Sequence, residues 1–186
     1  MRVPFKTSKA GFTLIELLVS VVIIVIITSV LAANYEKFDG GIVLTDLAYD
    51  IGLSIRKAQI YGLGVKGEEG VFTYPYGVRF NTASPQSYIL YVDIDGDRLY
   101  DGDPEKVETY RLQSGFTIHR LCVNNTTCTT SNSPGGILDV TFVRPNPDAA
   151  INNNPANSSA TVVIRSSQTT LKKVIIRTTG QISVTN

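Results

Sequence analysis

The sequence predicts an α+β protein with a long N-terminal helix and a second helix packed on an antiparallel, β-rich domain. Three observations predict this class. The apolar run of residues 12–33 is long enough for a membrane helix. Apolar residues then recur at helical spacing up to about Tyr61. After Gly70 the apolar runs are short and bounded by turn residues, which is typical of strands. We therefore expect a leader (1–11), a transmembrane helix (12–33) and a β-rich domain (34–186).

The membrane assignment follows from length and charge. A helix of residues 12–33 would be roughly 33 Å long at about 1.5 Å per residue, which matches a hydrocarbon core of about 30 Å. An ordinary secretory signal has a shorter core of about 7–15 residues and is cleaved on its far side. A plain single-pass anchor is the alternative, but it explains neither Gly11 nor Glu16. Basic residues before the run place the leader in the cytoplasm and the domain outside.

A second helix is predicted from about Leu44 to Tyr61. One of its faces is apolar and is expected to support a sheet; this face comprises Leu44, Leu47, Ala48, Ile51, Ile55 and Ala58. The segment Gly62-Leu63-Gly64 ends the helix. Paired glycines cost about 1 kcal/mol each inside a helix, so residues 38–41, which contain Gly40 and Gly41, are expected to separate it from the first helix.

Eight strands are predicted in the remainder of the chain. They cover residues 71–80, 87–92, 107–112, 116–121, 137–143, 161–165, 171–177 and 181–185. Residues 138–142 alternate between apolar and polar, as in a half-buried strand. Residues 146–159, rich in Asn, Pro, Ala and Ser, are expected to form a long polar loop.

The residues GFTLIE at positions 11–16 resemble the class III signal of type IV prepilins and type II secretion pseudopilins. Basic residues precede them and the apolar run follows. The resemblance implies that prepilin peptidase cuts between Gly11 and Phe12 and that Phe12 is then N-methylated. It also implies partners: other pilin or pseudopilin subunits, the peptidase and the bacterial inner membrane. After assembly the subunit would lie in a surface filament or a periplasmic pseudopilus. Ala33 stands where many major pilins have proline, so a kink there is not implied.

Glu16 is a lone carboxylate near the start of the apolar run. Such a charge costs about 2.5–3.5 kcal/mol at mid-helix, so it marks function. After cleavage, Phe12 would carry a new α-ammonium group at the helix start, one turn from Glu16. The helix dipole favours an acid there, and pairing at i,i+4 is possible. In the resembled families the corresponding glutamate meets the N-terminus of a neighbouring subunit, which implies an assembly role for Glu16.

The helix after the membrane, the many short strands and the closing residues 180–184 (GQISV) resemble the GspH/FimT family of minor pseudopilins and minor pilins. This resemblance implies a non-enzymatic minor subunit of a type IV pilus or a type II secretion pseudopilus. Some FimT-like members bind DNA through arginines in a Gly-Arg segment near the C-terminus. Here Gln181 follows Gly180, and Ser183 holds the next alternate position, so neither is basic.

Charge gives little support to nucleic acid as a partner. Removing Arg2, Lys6 and Lys9 from the 17 basic residues leaves 14, against 16 acidic ones. A near-neutral chain lacks the strongly basic character of nucleic-acid-binding domains. DNA uptake stays an alternative function, through a small patch formed by Arg165, Lys172, Lys173 and Arg177.

Six carboxylates lie within residues 93–105: Asp93, Asp95, Asp97, Asp101, Asp103 and Glu105. The first three alternate, so their oxygens can converge on Ca²⁺ while the others complete the shell. The segment departs from an EF-hand loop, because Arg98 stands at the sixth place and Pro104 at the twelfth. Calcium is the one cofactor the sequence suggests, and it would suit a Ca²⁺-dependent surface adhesion subunit. The alternative is an acidic, solvated connection between strands.

Cys122 and Cys128 enclose a short polar loop that suits a disulfide ring. Disulfides persist outside the cytosol, and this one would contribute roughly 2 kcal/mol. Two free thiols are the alternative. Zinc is not expected, because His119 is the only histidine. That histidine alternates with apolar residues on a predicted strand and should face solvent. Because no catalytic motif accompanies it, we predict no enzymatic activity.

Overall fold

The computed structural model describes residues 11–64, 73–130, 135–167 and 170–186, with the backbone alone for residues 33–40. The chain divides into two compact units, Met1–Asp39 and Gly40–Asn186. Residues 1–10 of the predicted leader and residues 71–72 of the first predicted strand lie outside the described residues. The α+β class with a long N-terminal helix is confirmed.

One helix, α1, covers both predicted helices and runs over Leu14–Leu63. The predicted interruption at residues 38–41 is therefore wrong, because helical backbone continues through them. Two glycines cost about 2 kcal/mol together, whereas packing of an amphipathic face supplies most of the stability of a helix. The boundary between the two units nevertheless falls at Asp39, beside the glycine pair. The predicted end is confirmed, since Gly64 N–H donates to the Ile60 carbonyl at 2.7 Å.

In the first unit, Leu14–Ala32 is long and apolar enough to cross a membrane, and none of it is buried by the rest of the protein. This segment corresponds to the predicted transmembrane helix of residues 12–33. Its exposed apolar side chains suit a lipid environment or the surfaces of other helices.

Two antiparallel five-stranded sheets form the second unit, together with the second half of α1. The strands are β1 (Tyr76–Asn81), β2 (Ser87–Val92), β3 (Lys106–Arg111), β4 (Phe116–Val123), β5 (Thr127–Thr130), β6 (Ile137–Phe142), β7 (Ala149–Ile151), β8 (Ser159–Ser166), β9 (Leu171–Arg177) and β10 (Ile182–Thr185). The first sheet has the order β3-β2-β1-β6-β7, and the second has the order β10-β9-β8-β4-β5.

The core lies between the helix and both sheets. The predicted apolar face of the helix is confirmed: its residues are fully buried except Leu47, which is partly buried. Phe80, Leu90 and Phe142 cover the core from the first sheet, and Val162 and Ile176 cover it from the second. Because one helix face contacts both sheets, the helix organises the whole second unit.

Two strands were not predicted. β7 lies inside the predicted loop of residues 146–159; at three residues it is too short to give a periodic signal. It pairs with β6 through Val140 and Ile151. β5 lies beside the cysteine loop and consists mainly of threonine. These short segments are strands because each lies against a longer neighbour in its sheet.

Strand β6 is more buried than its alternating pattern predicts. Asp139 and Thr141, expected to face solvent, are 1 % and 0 % exposed. The prediction of a half-buried strand is therefore wrong. The reason is that the segment between β2 and β3 covers the outer face of the first sheet and accepts a hydrogen bond from Thr141. Asp139 is buried there as the ion-pair partner of Arg79.

Candidate functional site

The predicted processing and assembly residues lie together at the start of α1. Gly11 and Phe12 precede the helix and are exposed, as is Glu16 in its first turn. A Cβ atom on Gly11 would meet nothing within 4 Å. Packing among the described residues therefore gives no reason for a glycine at this position. The roles of Gly11, Phe12 and Glu16 stay predictions, and the geometry leaves all three open to an enzyme or a partner.

A capping interaction at this helix start was missed in the sequence analysis. The Glu16 backbone N–H donates to Thr13 Oγ1 at 3.3 Å, so Thr13 is the N-cap. Thr-Leu-Ile-Glu at positions 13–16 fits the capping-box pattern, in which a glutamate or glutamine at the third helical position supports the cap. The observed bond thus makes Thr13 the residue that starts the helix, and the pattern adds an expected capping role for the Glu16 side chain besides any role in assembly. The Thr-x-x-Glu spacing is the signal that could have shown this.

The acidic segment between β2 and β3 is held by two buried carboxylates. Asp93 is wholly buried; its Oδ1 accepts the Gly96 N–H at 2.7 Å and its Oδ2 accepts the Arg98 N–H at 2.9 Å. Glu105 accepts the N–H groups of Ile94 and Asp101 at 3.0 and 2.8 Å. Burial raises the pKa of Asp93 to about 6, although its two N–H bonds act to lower it.

The structure brings together three of the six predicted calcium ligands. Carboxylate oxygens of Asp93, Asp95 and Asp97 lie within 4.8 Å of one another. Glu105 already accepts hydrogen bonds from two backbone N–H groups, and Asp103 forms an ion pair with Lys106 at 2.5 Å. A cation at the three aspartates would share the Asp93 oxygens with the loop backbone. The three aspartates thus offer carboxylate ligands, and Ca²⁺ binding by them stays a prediction.

The same acidic segment is fastened to the sheet beneath it. The carbonyl of Arg98 accepts hydrogen bonds from Thr141 Oγ1 at 2.7 Å and from Tyr91 Oη at 3.3 Å. Arg79 lies beneath it, with its guanidinium 5.1 Å from the ring centre of Tyr100. Burial raises the pKa of Tyr91 well above its ordinary value, so its hydroxyl stays protonated. The acidic segment is thus fastened to the outer face of the first sheet, while Asp95, Asp101 and Asp103 stay exposed.

The predicted disulfide joins Cys122 and Cys128, which face each other directly across β4 and β5. The turn between these strands places Asn124 and Asn125 at φ of 54° and 57°, a left-handed conformation that asparagine tolerates. Asn124 Oδ1 accepts the Ser158 N–H at 2.7 Å. The ring therefore also fixes the segment that follows β7.

His119, which was predicted to face solvent, lies at a bulge between Ile118 and Arg120 and is half-buried. Burial lowers its pKa, and Arg165 and Arg120 lower it further. A histidine next to two arginines, with its Nδ1 unbonded among the described residues, does not form a catalytic pair with a carboxylate.

The predicted basic patch is only partly assembled. Arg165, Lys173 and Arg177 lie on the outer face of the second sheet, whereas Lys172 pairs with Ile164 on the opposite side of its strand. Arg120, which was missed, joins them because it pairs with Val163, the partner of Lys173. Its position could not be read from spacing, since a bulge shifts the register of β4.

The prokaryotic N-terminal methylation motif matches residues 6–32, which include the predicted cleavage site and most of the apolar segment. No curated protein and no solved structure matches the chain. The motif ends with the exposed apolar part of α1, so it describes the helix start that carries Gly11, Phe12 and Glu16. The matched motif is the one that marks type IV pilins and pseudopilins, which are filament subunits that prepilin peptidase processes.

Proposed function

We propose that the chain is a structural, non-enzymatic subunit of a type IV pilus or of a type II secretion pseudopilus. The observation that carries the proposal is the methylation motif over residues 6–32 on an exposed apolar helix. Before assembly this helix would anchor the subunit in the inner membrane, with the second unit outside. The GspH/FimT resemblance supports a minor subunit that primes, caps or decorates the filament.

The assembly step is proposed to depend on the charge of Glu16. An unpaired carboxylate in an apolar environment is costly, so an ammonium group from a neighbouring subunit would stabilise the assembled state. Methylated Phe12 would supply that group. The contact would also set the register between subunits, because only one axial position pairs the two charges.

Two variants of Glu16 separate charge from helix capping. Glu16→Gln removes the charge but keeps a side chain that completes a capping box, whereas Glu16→Ala removes both. We expect both variants to be cleaved normally and to be depleted from sheared filaments, as measured by immunoblotting. Normal incorporation of Glu16→Gln would show that the charge has no assembly role.

Gly11 is proposed to serve the peptidase and not the fold. Because a Cβ there meets nothing within 4 Å, Gly11→Leu should leave the second unit intact while blocking maturation. Intact-protein mass spectrometry of the membrane fraction would then show a protein whose mass still includes residues 1–11. Gly41→Leu is a matched control, since Gly41 also has open space around it. Efficient cleavage of Gly11→Leu would contradict the proposed site.

Quantitative mass spectrometry of sheared surface filaments tests which machine the subunit serves. Trace amounts beginning at Phe12 would indicate a minor pilin of an extended pilus. Processed protein that stays in the membrane fraction would indicate a short secretion pseudopilus.

A calcium-dependent adhesion subunit is the second candidate, favoured by the three convergent aspartates. Calorimetry with Ca²⁺ on the purified protein tests it, with Asp95→Asn as the variant and Asp103→Asn as the control outside the cluster. A bound cation would also lower the pKa of Asp93, because it favours the charged carboxylate. Binding that is the same in Asp95→Asn as in the wild type would argue against this site.

DNA uptake is the remaining alternative. The match of Gly180 to the FimT-like glycine has a local explanation in this chain: Gly180 has a φ of 78°, and a Cβ there would lie 2.1 Å from the Pro147 carbonyl oxygen. The glycine is thus required by the fold, whether or not DNA binds. A gel shift at physiological salt tests this alternative.

A further inference from the structure

The outer face of the second sheet is a surface of one charge sign. Ala160, Val162 and Ile164 of β8 belong to the core, so Val163 and Arg165 point to the opposite side. Directly paired residues share a face, which places four cations on it: Arg120, Arg165, Lys173 and Arg177. The five strands of this sheet contain no aspartate or glutamate. We call these four residues the basic face.

None of these four cations is neutralised within the described residues, where none has a carboxylate oxygen within 4.0 Å. By contrast, Lys57, Arg79 and Lys106 each have one. Arg120 and Lys173 flank Val163, with two strand spacings, about 10 Å, between their backbones. Val163 is 4 % exposed although it points outward, as expected if long basic side chains lie across it. The basic face is thus a cationic surface with a covered apolar centre.

A predominantly acidic surface covers the outer face of the first sheet, with six carboxylates against one cation, Arg98, within residues 93–105. In the acidic segment, the carboxylates of Asp95, Asp97 and Asp101 have no cation within 4.0 Å among the described residues, and Asp95 and Asp101 are exposed. The two charged surfaces lie on the outer sides of different sheets, and those sheets share one core. One molecule therefore cannot place its acidic segment on its own basic face.

We propose that the basic face of one copy of this chain binds the acidic segment of a second copy. The inference rests on the proposed function as a filament subunit, in the decorating form in which several copies lie side by side, and adds a contact between the β-rich units of those copies. A contact between two different surfaces is heterologous, and it repeats into an open helical array when it does not close into a ring. Charge complementarity of this kind fixes register and excludes wrong partners more than it adds affinity.

Zero-length carbodiimide crosslinking tests the contact in the full-length protein in cells. Lys173 alone of the four cations has the amine that this reagent links to a carboxylate. Two differently tagged copies expressed together show whether a crosslink joins separate molecules. We expect mass spectrometry to identify Lys173 joined to Asp95 or Asp101 between tags. No such product, in cells that assemble both tagged copies into filaments, would overturn the proposal.

Charge reversal with rescue gives a second, independent test. We expect Lys173→Glu and Asp95→Lys each to reduce capture of the differently tagged copy from solubilised filaments roughly tenfold, and the combined variant to restore it. Lys172→Glu is the matched control, because that lysine pairs with Ile164 on the other side of the strand. Loss of capture without rescue would overturn the proposal.

The filament role and the proposed contact fail in distinguishable ways. If the filament role is wrong, neither the wild type nor Glu16→Gln is incorporated into filaments, whatever the charge variants do. If only the contact is wrong, Glu16→Gln fails to assemble while Lys173→Glu assembles and is captured normally. Binding of duplex DNA by the wild type that is lost in Lys173→Glu, without any crosslink between copies, would assign the basic face to nucleic acid instead.

Discussion

Arg79 and Asp139 face each other directly across β1 and β6 and form a two-pronged ion pair. Arg79 Nε donates to Asp139 Oδ1 at 2.7 Å, and Nη2 donates to Oδ2 at 2.5 Å. The side chains are 19 % and 2 % exposed. The acidic segment lies over this pair, so the first sheet carries a charged layer between its strands and its cover.

Breaking this pair should destabilise the protein strongly. Asp139→Ala leaves a mostly buried guanidinium without its carboxylate, which costs about 3–5 kcal/mol. Denaturant unfolding of the detergent-solubilised protein measures the change in the free energy of unfolding. Asp103→Ala is the control, because it removes a pair on the exposed surface and should change stability little. Equal effects of the two variants would contradict the structural role of the pair.

Replacing both partners should be much less harmful than replacing one. The double variant Arg79→Met with Asp139→Leu removes both charges together, and such replacements are often neutral or stabilising. We expect the double variant to recover most of the loss seen in Asp139→Ala. Failure to recover would show that the charges are needed to hold the acidic segment in place.

Gly180→Ala should destabilise the junction between the helix and the last two strands. Its Cβ would lie 2.1 Å from the Pro147 carbonyl oxygen, which shares the Gln59 side-chain amide with the Gly180 carbonyl. We expect a loss of about 1–3 kcal/mol from overpacking, added to the strain of a left-handed residue.

The matched control for that variant is Gly115→Ala. Gly115 also has a left-handed φ, of 89°, but its Cβ would lie 4.0 Å from Ser167 Oγ. This control carries the strain without the clash. Thermal unfolding of both variants separates the two effects, and equal losses would exclude a role for the close approach to Pro147.

The disulfide should stabilise the β4–β5 hairpin by about 2 kcal/mol, as the chain-entropy model gives for so short a loop. The variant Cys122→Ser with Cys128→Ser removes it. Hydrogen exchange should then increase at β5, and at Ser158, which is held by Asn124. Reduction of the wild type by a thiol should reproduce the effect. Unchanged exchange in both cases would show that the hairpin needs no crosslink.

Asp93 should make stability fall as pH rises through the acidic range. Its pKa is about 6 in the folded protein against an ordinary 3.8. The folded state therefore binds the proton more tightly, and this contribution is fully present below about pH 4 and lost by about pH 6. The free energy of unfolding of the wild type minus that of Asp93→Asn should fall over that window and stay constant above it.

His119 contributes a slope of the opposite sign. Its pKa is lowered from 6.5, so stability is lost as pH falls below that value, because the unfolded chain binds the proton better. For this reason the test of Asp93 compares variants and not the wild type alone. If the free energy of unfolding of the wild type minus that of Asp93→Asn rises from pH 4 to pH 6, the raised pKa of Asp93 is contradicted.

The sequence predicted those elements whose signal is local and repeated. The helix face from Leu44 to Ala58 shows clear apolar periodicity, and the strand Ser87–Val92 is a short apolar run between turn residues. Both occur as expected. The continuity of α1 through its glycines was not predictable, because propensity omits the packing on which the second half of the helix depends. Strand β7 was missed because its three residues gain their hydrogen bonds only from a neighbour distant in sequence.

The residues of the candidate site likewise divide into those with a local sequence signal and those without one. Gly11, Phe12 and Glu16 were found because the motif is contiguous, and Thr13 could have been found from its spacing to Glu16. The acidic residues of positions 93–105 were predicted as a calcium site because there are six of them. In the structure, Asp93 and Glu105 accept hydrogen bonds from backbone N–H groups. Arg120 joined the basic face through a bulge, which no sequence period shows.

The position of the core on one helix face has a consequence for the order of folding. Ile55 is buried against residues that include Ile176, and the ribosome adds the intervening residues in roughly 6–24 s at about 5–20 residues per second. Throughout that interval the apolar face of the helix cannot be covered by its native partners. The second unit therefore cannot complete its core before its last strands have been made.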